Sequence, residues 1–208
     1  ETLCKRITSI LNDGLQIELG IVIGGGNIYR GGRGIEGFNR LIGDQIGMLA
    51  TIMNGLSIVE RLRSFGTYAM PFSSVKMDGV VDLFNRDRVD EIFLKNGVCV
   101  FVGGTGNPYF STDTTAVLRA LQIGADCVFK ATKVDGIYNK DPEKFSDAQI
   151  YSNITYERIV EQNIQIMDMT SIIMMKENKM NLMVFNMMKE NILEMALKGH
   201  EVGTIVKE

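Results

Sequence analysis

Residues 21–32 read IVIGGGNIYRGG, an apolar and largely β-branched run that ends abruptly in three glycines. Such a run predicts a strand that is buried on both faces. Without Cβ atoms, the glycines at 24–26 can adopt positive φ and bring their backbone N–H groups close to an anion. Arg30 can add a planar guanidinium fork for phosphate oxygens. The alternative is an ordinary tight turn after a strand, and this stretch alone leaves both interpretations open.

The composition argues against several classes of function. The 208 residues are 45% hydrophobic and 23% charged with a net charge of −3, which gives no electrostatic footprint for nucleic acid. No apolar run approaches the length of a membrane span, and no signal peptide opens the chain. Three separated cysteines and a single histidine, His200, indicate neither a disulfide framework nor a metal site nor a catalytic triad. We expect a reducing, cytoplasmic location.

Strands and helices alternate along the chain, and the strands are continuous apolar runs. This pattern predicts an α/β fold, a three-layer α/β/α domain with a mainly parallel central sheet. Residues 80–83 are predicted to form an irregular connection. The predicted strands are 15–23, 67–72, 98–102, 126–131, 182–185 and 204–206. The predicted helices are 2–12, 38–62, 87–95, one that is capped by Thr112 and Asp113 and runs to Gly124, 155–163, 170–178 and 189–198.

The predicted helix at 38–62 is unusually apolar. Helical spacing predicts that it buries one stripe of side chains. A helix this apolar is expected to be covered on more than one side, by the sheet and another helix or by a second subunit. The stripe consists of Met48, Leu49, Ile52, Met53, Leu56 and Val59.

Three predicted strands end in loops rich in glycine and hydroxyl groups, at 24–37, 103–113 and 132–141. Ligands of open α/β sheets bind at the carboxyl ends of the strands, where these loops would meet. Thr112 and Asp113 can cap the next helix, whose positive end favours anions. Two anion sites with nearby carboxylates, and no histidine or cysteine chemistry, favour phosphoryl transfer, which needs mainly positioning and charge neutralisation.

Common nucleotide-binding motifs are missing from these loops. Neither glycine-rich loop fits G-x-G-x-x-G, because Tyr29 and Tyr109 stand in the place of the third glycine. A P-loop motif is absent as well. Residues 132–135, TKVD, resemble the guanine-reading tetrapeptide of GTPases, but the phosphate loop of those proteins is not present. The methionines of the C-terminal third are interpreted as flexible packing or interface residues rather than copper ligands.

A set of motifs in a fixed order resembles the bacterial UMP kinases (uridylate kinases) of the amino acid kinase superfamily. The resemblance runs from about residue 20 to the end. It implies transfer of the γ-phosphate of ATP to UMP, with Mg²⁺, in pyrimidine nucleotide biosynthesis. The motifs are IGGGNIYRG at 23–31, GD at 43–44, GMLAT at 47–51, GTGNPYFSTD at 104–113, KATKVDGIYNKDP at 130–142, IMDMT at 166–170 and VFNM at 184–187.

The resemblance also implies roles for individual residues. The half at about 1–125 would bind UMP and the half at about 126–208 would bind ATP, within a single domain at 1–208. Arg30 would lie between donor and acceptor phosphates, Asp113 and Asp168 would organise the site or Mg²⁺, and Lys130 and Lys133 would contact phosphate. The implied UMP-binding residues are Gly25, Asp44, Thr105, Gly106, Asn107, Pro108, Tyr109, Phe110, Ser111 and Thr112, and the implied ATP-binding residues are Gly26, Arg30, Thr132, Tyr138 and Asp141.

Three of these assignments have plain structural alternatives. Asp113 could be only a helix cap, Asp44 a surface turn residue and Lys133 a solvated side chain. No metal ligand is assigned, because Mg²⁺ would be bound mainly through the phosphates. The resemblance further implies a homohexamer built of dimers, activated by GTP and inhibited by UTP. From the charge and the apolar pattern we expect neither nucleic acid nor membrane as a partner.

The family pattern opens with a strand carrying a Lys-Leu-Ser-Gly-type motif, whose lysine and backbone N–H groups engage the transferred phosphate. This sequence has no such segment. We therefore expect the complete polypeptide to carry a further N-terminal segment of roughly 20–40 residues. Two alternative functions remain open at this stage. One is another amino acid kinase that acts on a carboxylate or carbamate, and the other is a regulatory subunit that binds nucleotide without turnover.

Overall fold

The computed structural model describes residues 1–30 and 37–208, so Gly31 and Gly32 of the opening stretch lie outside the described residues. The chain divides into two compact units, residues 1–123 and residues 124–208. Strands alternate with helices in both units and most strand pairs are parallel, which confirms the predicted α/β class.

The first unit contains a four-stranded parallel sheet with the order β1-β4-β2-β3. The central strand β4 is buried along its whole length. The strands are β1 Leu19–Val22, β2 Ala69–Ser73, β3 Asp82–Leu83 and β4 Val98–Val102, and the helices are α1 Thr2–Asn12, α2 Arg40–Ser64, α3 Arg86–Phe93 and α4 Thr112–Ile123.

The second unit contains a mixed sheet with the order β5-β7-β8-β6. The pairs β5–β7 and β6–β8 are parallel, whereas β7 and β8 are antiparallel. The strands are β5 Cys127–Thr132, β6 Asn153–Thr155, β7 Asn181–Asn186 and β8 Thr204–Lys207, and the helices are α5 Tyr156–Glu161, α6 Met169–Glu177 and α7 Ile192–Leu197.

Strand β1 is shorter and less buried than the sequence predicts. It covers only Leu19–Val22, and its residues are half-buried. The expectation of a strand buried on both faces is therefore wrong for β1 and correct for β4. The reason is position, because β1 stands at the end of the strand order and pairs, among the described strands, with β4 alone.

Helix α2 buries only part of the predicted stripe, Ile52 and Val59, and leaves Met48 and Leu56 half-buried. Ile52, Val59 and Leu62 are buried together with small residues such as Gly55, whereas Leu49 and Met53 are exposed. The buried positions recur every three or four residues and face β2 and β4. By length and apolar composition α2 could also cross a membrane, so the expectation that no apolar run reaches that length is wrong.

Candidate active site

A cavity of about 850 Å³ lies in the first unit, at the carboxyl ends of β1 and β4 and beside the first turns of α2. Its volume is typical of sites for small organic ligands. It brings together most of the residues that the resemblance assigned to UMP. From the predicted set, its lining contains Gly25, Gly26, Arg30, Asp44, Thr105, Asn107, Tyr109, Phe110, Ser111 and Thr112.

Three predicted residues of the first unit are not part of this lining, as far as the described residues define it. Gly106 and Pro108 belong to the same loop but do not face the cavity. Asp113 lies inside the first turn of α4 rather than at its cap. The hydroxyl of Ser111 takes the capping position, because it accepts the amide N–H of Thr114 at 3.0 Å. The sequence-based assignment of the cap to Thr112 and Asp113 is therefore wrong.

The glycines at 24–26 are needed for close approach rather than for positive φ. None of the three lies in the left-handed region. A Cβ atom on Gly25 would lie 2.7 Å from the carbonyl oxygen of Gly47 and 2.8 Å from Cβ of Ala50, so only glycine lets the loop meet α2. Asn54 of α2 then holds the loop, donating to the carbonyl of Gly24 at 2.8 Å.

Arg30 follows this loop and lines the cavity with an exposed side chain. Its Nε donates to the carbonyl of Gly26 at 3.2 Å, so this hydrogen bond does not use the two terminal guanidinium nitrogens. A second arginine, Arg40, lines the cavity from the first turn of α2. Among the described residues, the lining carries two guanidinium groups and one carboxylate, an excess of positive charge that suits an anionic ligand.

The second glycine-rich loop follows β4. Gly103, Gly104 and Gly106 have φ of +76°, +57° and +83°, so this loop, not the first one, uses the left-handed conformations that glycine permits. Thr51 of α2 accepts the amide N–H of Gly103 at 2.7 Å. The loop is thus tied to α2, which also lines the cavity.

Asp44 connects α2 with the far end of this loop. Its Oδ2 accepts the amide N–H of Tyr109 at 2.8 Å, and Tyr109 itself has a positive φ of +73°. The guanidinium of Arg40 lies 3.7 Å from the same carboxylate and 4.6 Å from the Tyr109 ring centroid. Asp44 is therefore a helical residue in the cavity wall, and the alternative of a surface turn residue is wrong.

The second unit holds the other predicted ATP-side residues. The hydroxyl of Thr132, at the end of β5, donates to the carbonyl of Val134 at 2.6 Å. Asp141 accepts the amide N–H of Glu143 at 2.9 Å and pairs with Lys144 at 3.2 Å, and these two groups lower the pKa of its carboxyl. Tyr138 is half-buried and forms an isolated bridge with Ile150.

The remaining predicted residues of this unit occupy three different places. Lys130 is half-buried on β5, and Lys133 is exposed in the loop after it. Asp168 is the N-cap of α6 and accepts both the amide N–H of Ser171, at 3.1 Å, and its hydroxyl, at 2.6 Å. The predicted ATP set is thus divided, with Gly26 and Arg30 in the first unit and the others in the second.

The structure reveals a polar cluster at the carboxyl ends of β5 and β7 that the sequence reasoning missed. Asp135 accepts from the side-chain amide of Asn186 at 3.0 Å and pairs with Lys189 at 2.8 Å. Hydrogen bonding to Lys189 and then to Asn186 lowers the pKa of this carboxyl. Asn186 belongs to the VFNM motif at 184–187, which the sequence analysis had identified. Its contact with Asp135 could not be predicted, because 51 residues separate the two side chains. Arg40 was missed because its spacing from Asp44 is that of an ordinary helical ion pair.

Two thiols and the candidate metal ligands in the described parts of the two units remain to be considered. Burial raises the pKa of Cys99 to about 12 and that of Cys127 to about 11, so both stay protonated near neutral pH. Within residues 1–30 and 37–208, no three acidic, histidine or cysteine side chains form a cluster that could hold a metal ion.

Comparisons with known proteins extend this picture. The sequence model of the Amino acid kinase family matches residues 1–186. The uridylate kinases of Actinobacillus pleuropneumoniae and of Haemophilus influenzae strain PittGG are each 41% identical to the chain over 191 residues, which are 91% of this chain and 81% of theirs.

Solved structures give the same result. The crystal structure of UMP kinase from Ureaplasma parvum superposes with a TM-score of 0.90 at 33% identity, covering 99% of this chain and 88% of that one. The UMP kinase of Bacillus anthracis superposes with a TM-score of 0.89 at 32% identity, covering 98% and 86%. The resemblance that the motifs predicted is confirmed, and this chain belongs to the amino acid kinase family.

Proposed function

We propose that the protein transfers the γ-phosphoryl group of ATP to UMP, giving ADP and UDP. The observation that carries the proposal is one cavity in which the loop before Arg30, the carboxylate of Asp44 and the loop at 104–112 meet. The similarity to uridylate kinases and to solved structures of UMP kinases supports the same reaction. No comparison favours a carboxylate kinase or a subunit without turnover.

UMP is the ligand that we assign to this cavity. Asp44 can accept the ribose hydroxyls, because one carboxylate offers about four lone-pair sites and the amide of Tyr109 uses one of them. The loop at 105–112 supplies backbone and hydroxyl groups for the base and the phosphate. A loop that hydrogen-bonds one base edge rejects a base that leaves its polar groups unpaired.

Arg30 is the residue that we place between the donor and acceptor phosphates. Negative charge accumulates on the phosphoryl oxygens during transfer, and a fixed guanidinium fork stabilises it without moving. Arg40 adds a second positive charge to the lining. No side chain has to serve as a nucleophile, because the UMP phosphate itself attacks the γ-phosphorus and ADP leaves.

ATP is assigned to the second unit, through Thr132, Tyr138 and Asp141, together with Gly26 and Arg30. Lys130 and Lys133 are further candidates for contact with the phosphates. Mg²⁺ is the proposed cofactor, bound mainly through phosphate oxygens with Asp113 and Asp168 organising the site.

Assembly, regulation and location complete the proposal. A homohexamer built of dimers, GTP activation and UTP inhibition follow from the family resemblance. The exposed apolar residues of α2 give the assembly a physical basis. A cytoplasmic location fits three free cysteines, of which Cys4 and Cys99 are buried.

A panel of acceptors tests the reaction. The purified protein is assayed for ADP release with ATP and Mg²⁺ in the presence of UMP, carbamate, acetylglutamate or aspartate, while calorimetry records nucleotide binding. We expect ADP release with UMP alone. Release with one of the acids would assign the protein to a different branch of the family. Binding of both nucleotides without ADP release would favour a regulatory subunit.

A further inference from the structure

Arg119 is a charged side chain in the interior of the first unit. It lies on α4 and is 5% exposed. Among the described residues no carboxylate forms an ion pair with it, and its buried Nε has no hydrogen-bond partner. A buried charge without a counter-ion is costly, and an apolar side chain of similar size would often be more stable in its place. Arg119 therefore calls for an explanation beyond packing.

Two aromatic rings and two hydrogen bonds hold the guanidinium. Its central carbon lies 4.2 Å from the ring centroid of Phe84 and 5.9 Å from that of Phe101. One terminal nitrogen donates to the side-chain oxygen of Gln122, and the other donates to Oγ of Ser74. Cation–π contact offsets part of the desolvation cost while leaving the group aimed at Ser74.

The hydrogen bond from Arg119 to Ser74 determines which atom receives the hydroxyl proton of Ser74, and this atom lies in the cavity loop. A guanidinium has only donors, so Ser74 Oγ must accept from it. Its single hydroxyl proton is then committed to the next acceptor, the carbonyl oxygen of Gly104, at 2.5 Å. Since the peptide is planar and trans, a carbonyl held by Ser74 makes the amide N–H of Thr105 point away from Ser74. Gly104 and Thr105 both line the cavity.

Ser74 also supports the same loop by direct packing. Its amide N–H donates to the carbonyl of Val102 at 3.1 Å, at the end of β4. A Cβ atom on Gly106 would lie 2.9 Å from the carbonyl oxygen of Ser74. The turn at 103–107, whose glycines adopt positive φ, thus rests on Ser74, and Arg119 fixes the orientation of the Ser74 hydroxyl.

We propose that Arg119 is a positioning residue for the acceptor site, which orients the Gly104–Thr105 peptide through Ser74. This role rests on the proposed function, in which that loop binds UMP. Arg119 acts on the loop indirectly, because its hydrogen bond goes to Ser74 and the hydrogen bond of Ser74 goes to the loop. Loss of the link therefore affects UMP binding rather than ATP binding.

Single and double variants test the proposal. We expect Ser74→Ala and Arg119→Met each to raise the KM for UMP by roughly tenfold, the size of a lost hydrogen bond to a charged group, with the KM for ATP unchanged. The double variant should be no worse than either single variant, since both break one chain of contacts. Arg119→Lys, which keeps a donor, should recover part of the loss.

Arg86→Met is the matched control. Arg86 donates to the carbonyl of Gln122 at 2.7 Å, so it also contacts the end of α4, but its other bonds go to Asp90. Its KM for UMP should equal that of the unchanged protein. If Arg119→Met fails to fold, the KM for UMP of Ser74→Ala tests the proposal by itself. A normal KM for UMP in Ser74→Ala, or an equal rise in both KM values, would overturn the proposal.

Hydrogen exchange separates this proposal from the proposed function. Peptides that cover residues 103–107 should exchange faster in Ser74→Ala and Arg119→Met but not in Arg86→Met, whether or not UMP is phosphorylated. Faster exchange in a protein that does not use UMP would reject only the function. Unchanged exchange in an active UMP kinase would reject only the positioning role.

Discussion

Arg30 is the single side chain on which the proposed chemistry depends most. Its guanidinium meets charge that develops only during transfer, so Arg30→Ala should lower kcat by about 10²-fold or more while UMP binding weakens less. Steady-state kinetics together with calorimetric titration of UMP measure both effects. Arg61→Ala, an exposed arginine at the other end of α2 that stacks on Phe65, is the control and should keep its kcat. An unchanged kcat with a raised KM would limit Arg30 to ground-state binding.

Gly25 is predicted to be irreplaceable for steric reasons. The Cβ of Gly25→Ala would approach the backbone of Gly47 to 2.7 Å, and the loop or α2 must shift. We expect a loss of about 1–3 kcal/mol in the free energy of unfolding, the range for overpacked sites. Gly47→Ala makes the same change inside α2 in open space and should stabilise by about 0.5–1 kcal/mol. Equal stabilities in urea denaturation would refute the close-approach argument.

At the scale of single residues, the sequence predicted which residues line the cavity better than it predicted the structural role of each one. Gly25 lines the cavity, but the positive φ that was expected there occurs at Gly103 and Gly106 instead, and its contact with UMP stays a prediction. Asp44 and Tyr109 are 65 residues apart, and no local pattern indicates that one accepts the amide of the other. Contacts of this kind depend on how the loops meet, which local spacing does not encode.

The elements β5 and β7 are joined at their carboxyl ends by Asp135, which predicts a pH dependence of stability. The pKa of this carboxyl is lower in the folded protein. Its ionised form therefore stabilises the fold above the unfolded pKa of about 3.9, and this contribution is lost as the pH falls through the folded pKa. Asp135→Asn should cost about 0.2–1 kcal/mol at pH 7, as for exposed ion pairs, and almost nothing at acid pH.

Urea denaturation of Asp135→Asn at pH 7 and near pH 3 measures this difference. Asp147→Asn, which breaks the exposed pair with Lys140 on a loop of the same unit, is the control for the loss of one surface ion pair. A difference between Asp135→Asn and the unchanged protein that grows at acid pH would contradict the assignment, because protonation should erase it.

Elements were predicted well where they are long and poorly where they are short. The sequence placed β4, α1 and α4 closely, since each combines a clear apolar pattern with a terminal signal. The two-residue strand β3 and the three-residue strand β6 were missed, because so few residues show no period of two. Their pairing is set by neighbouring strands instead.

The whole molecule presents an apolar face that predicts self-association. Ile42, Leu49 and Met53 are all exposed, and their spacing places them on one side of α2. We expect light scattering to give a mass several times the 23.1 kDa of one chain, with a hexamer as the proposed state. Leu49→Glu should shift the protein toward smaller species, since it places a charge in the apolar contact.

Leu94→Glu is the control for that substitution. Leu94 is 88% exposed at the end of α3, so the same change there should leave the mass unaltered. A monomer at micromolar concentration for the unchanged protein would refute the assembly, and the exposed face of α2 would need another partner.

Fold class and chemistry were predictable at this scale because motifs and alternation are recorded in the order of the chain. The antiparallel pairing of β7 and β8 within the described strands was not predictable, since a short helix joins them and nothing in their composition distinguishes them from parallel strands. The assignment of UMP to the half at about 1–125 and of ATP to the half at about 126–208 stays a prediction.

The central claim is that the cavity of the first unit accepts UMP, and the ratio of kcat/KM for UMP to that for CMP tests it most directly. Both nucleotides carry the same ribose and phosphate, so only contacts with the base distinguish them. A site whose buried polar groups would be left unpaired by the wrong base predicts a preference for UMP of on the order of 10²-fold or more. If CMP were phosphorylated within a few-fold as well as UMP, with Mg²⁺ and ATP saturating, the assignment of this cavity to UMP would be wrong.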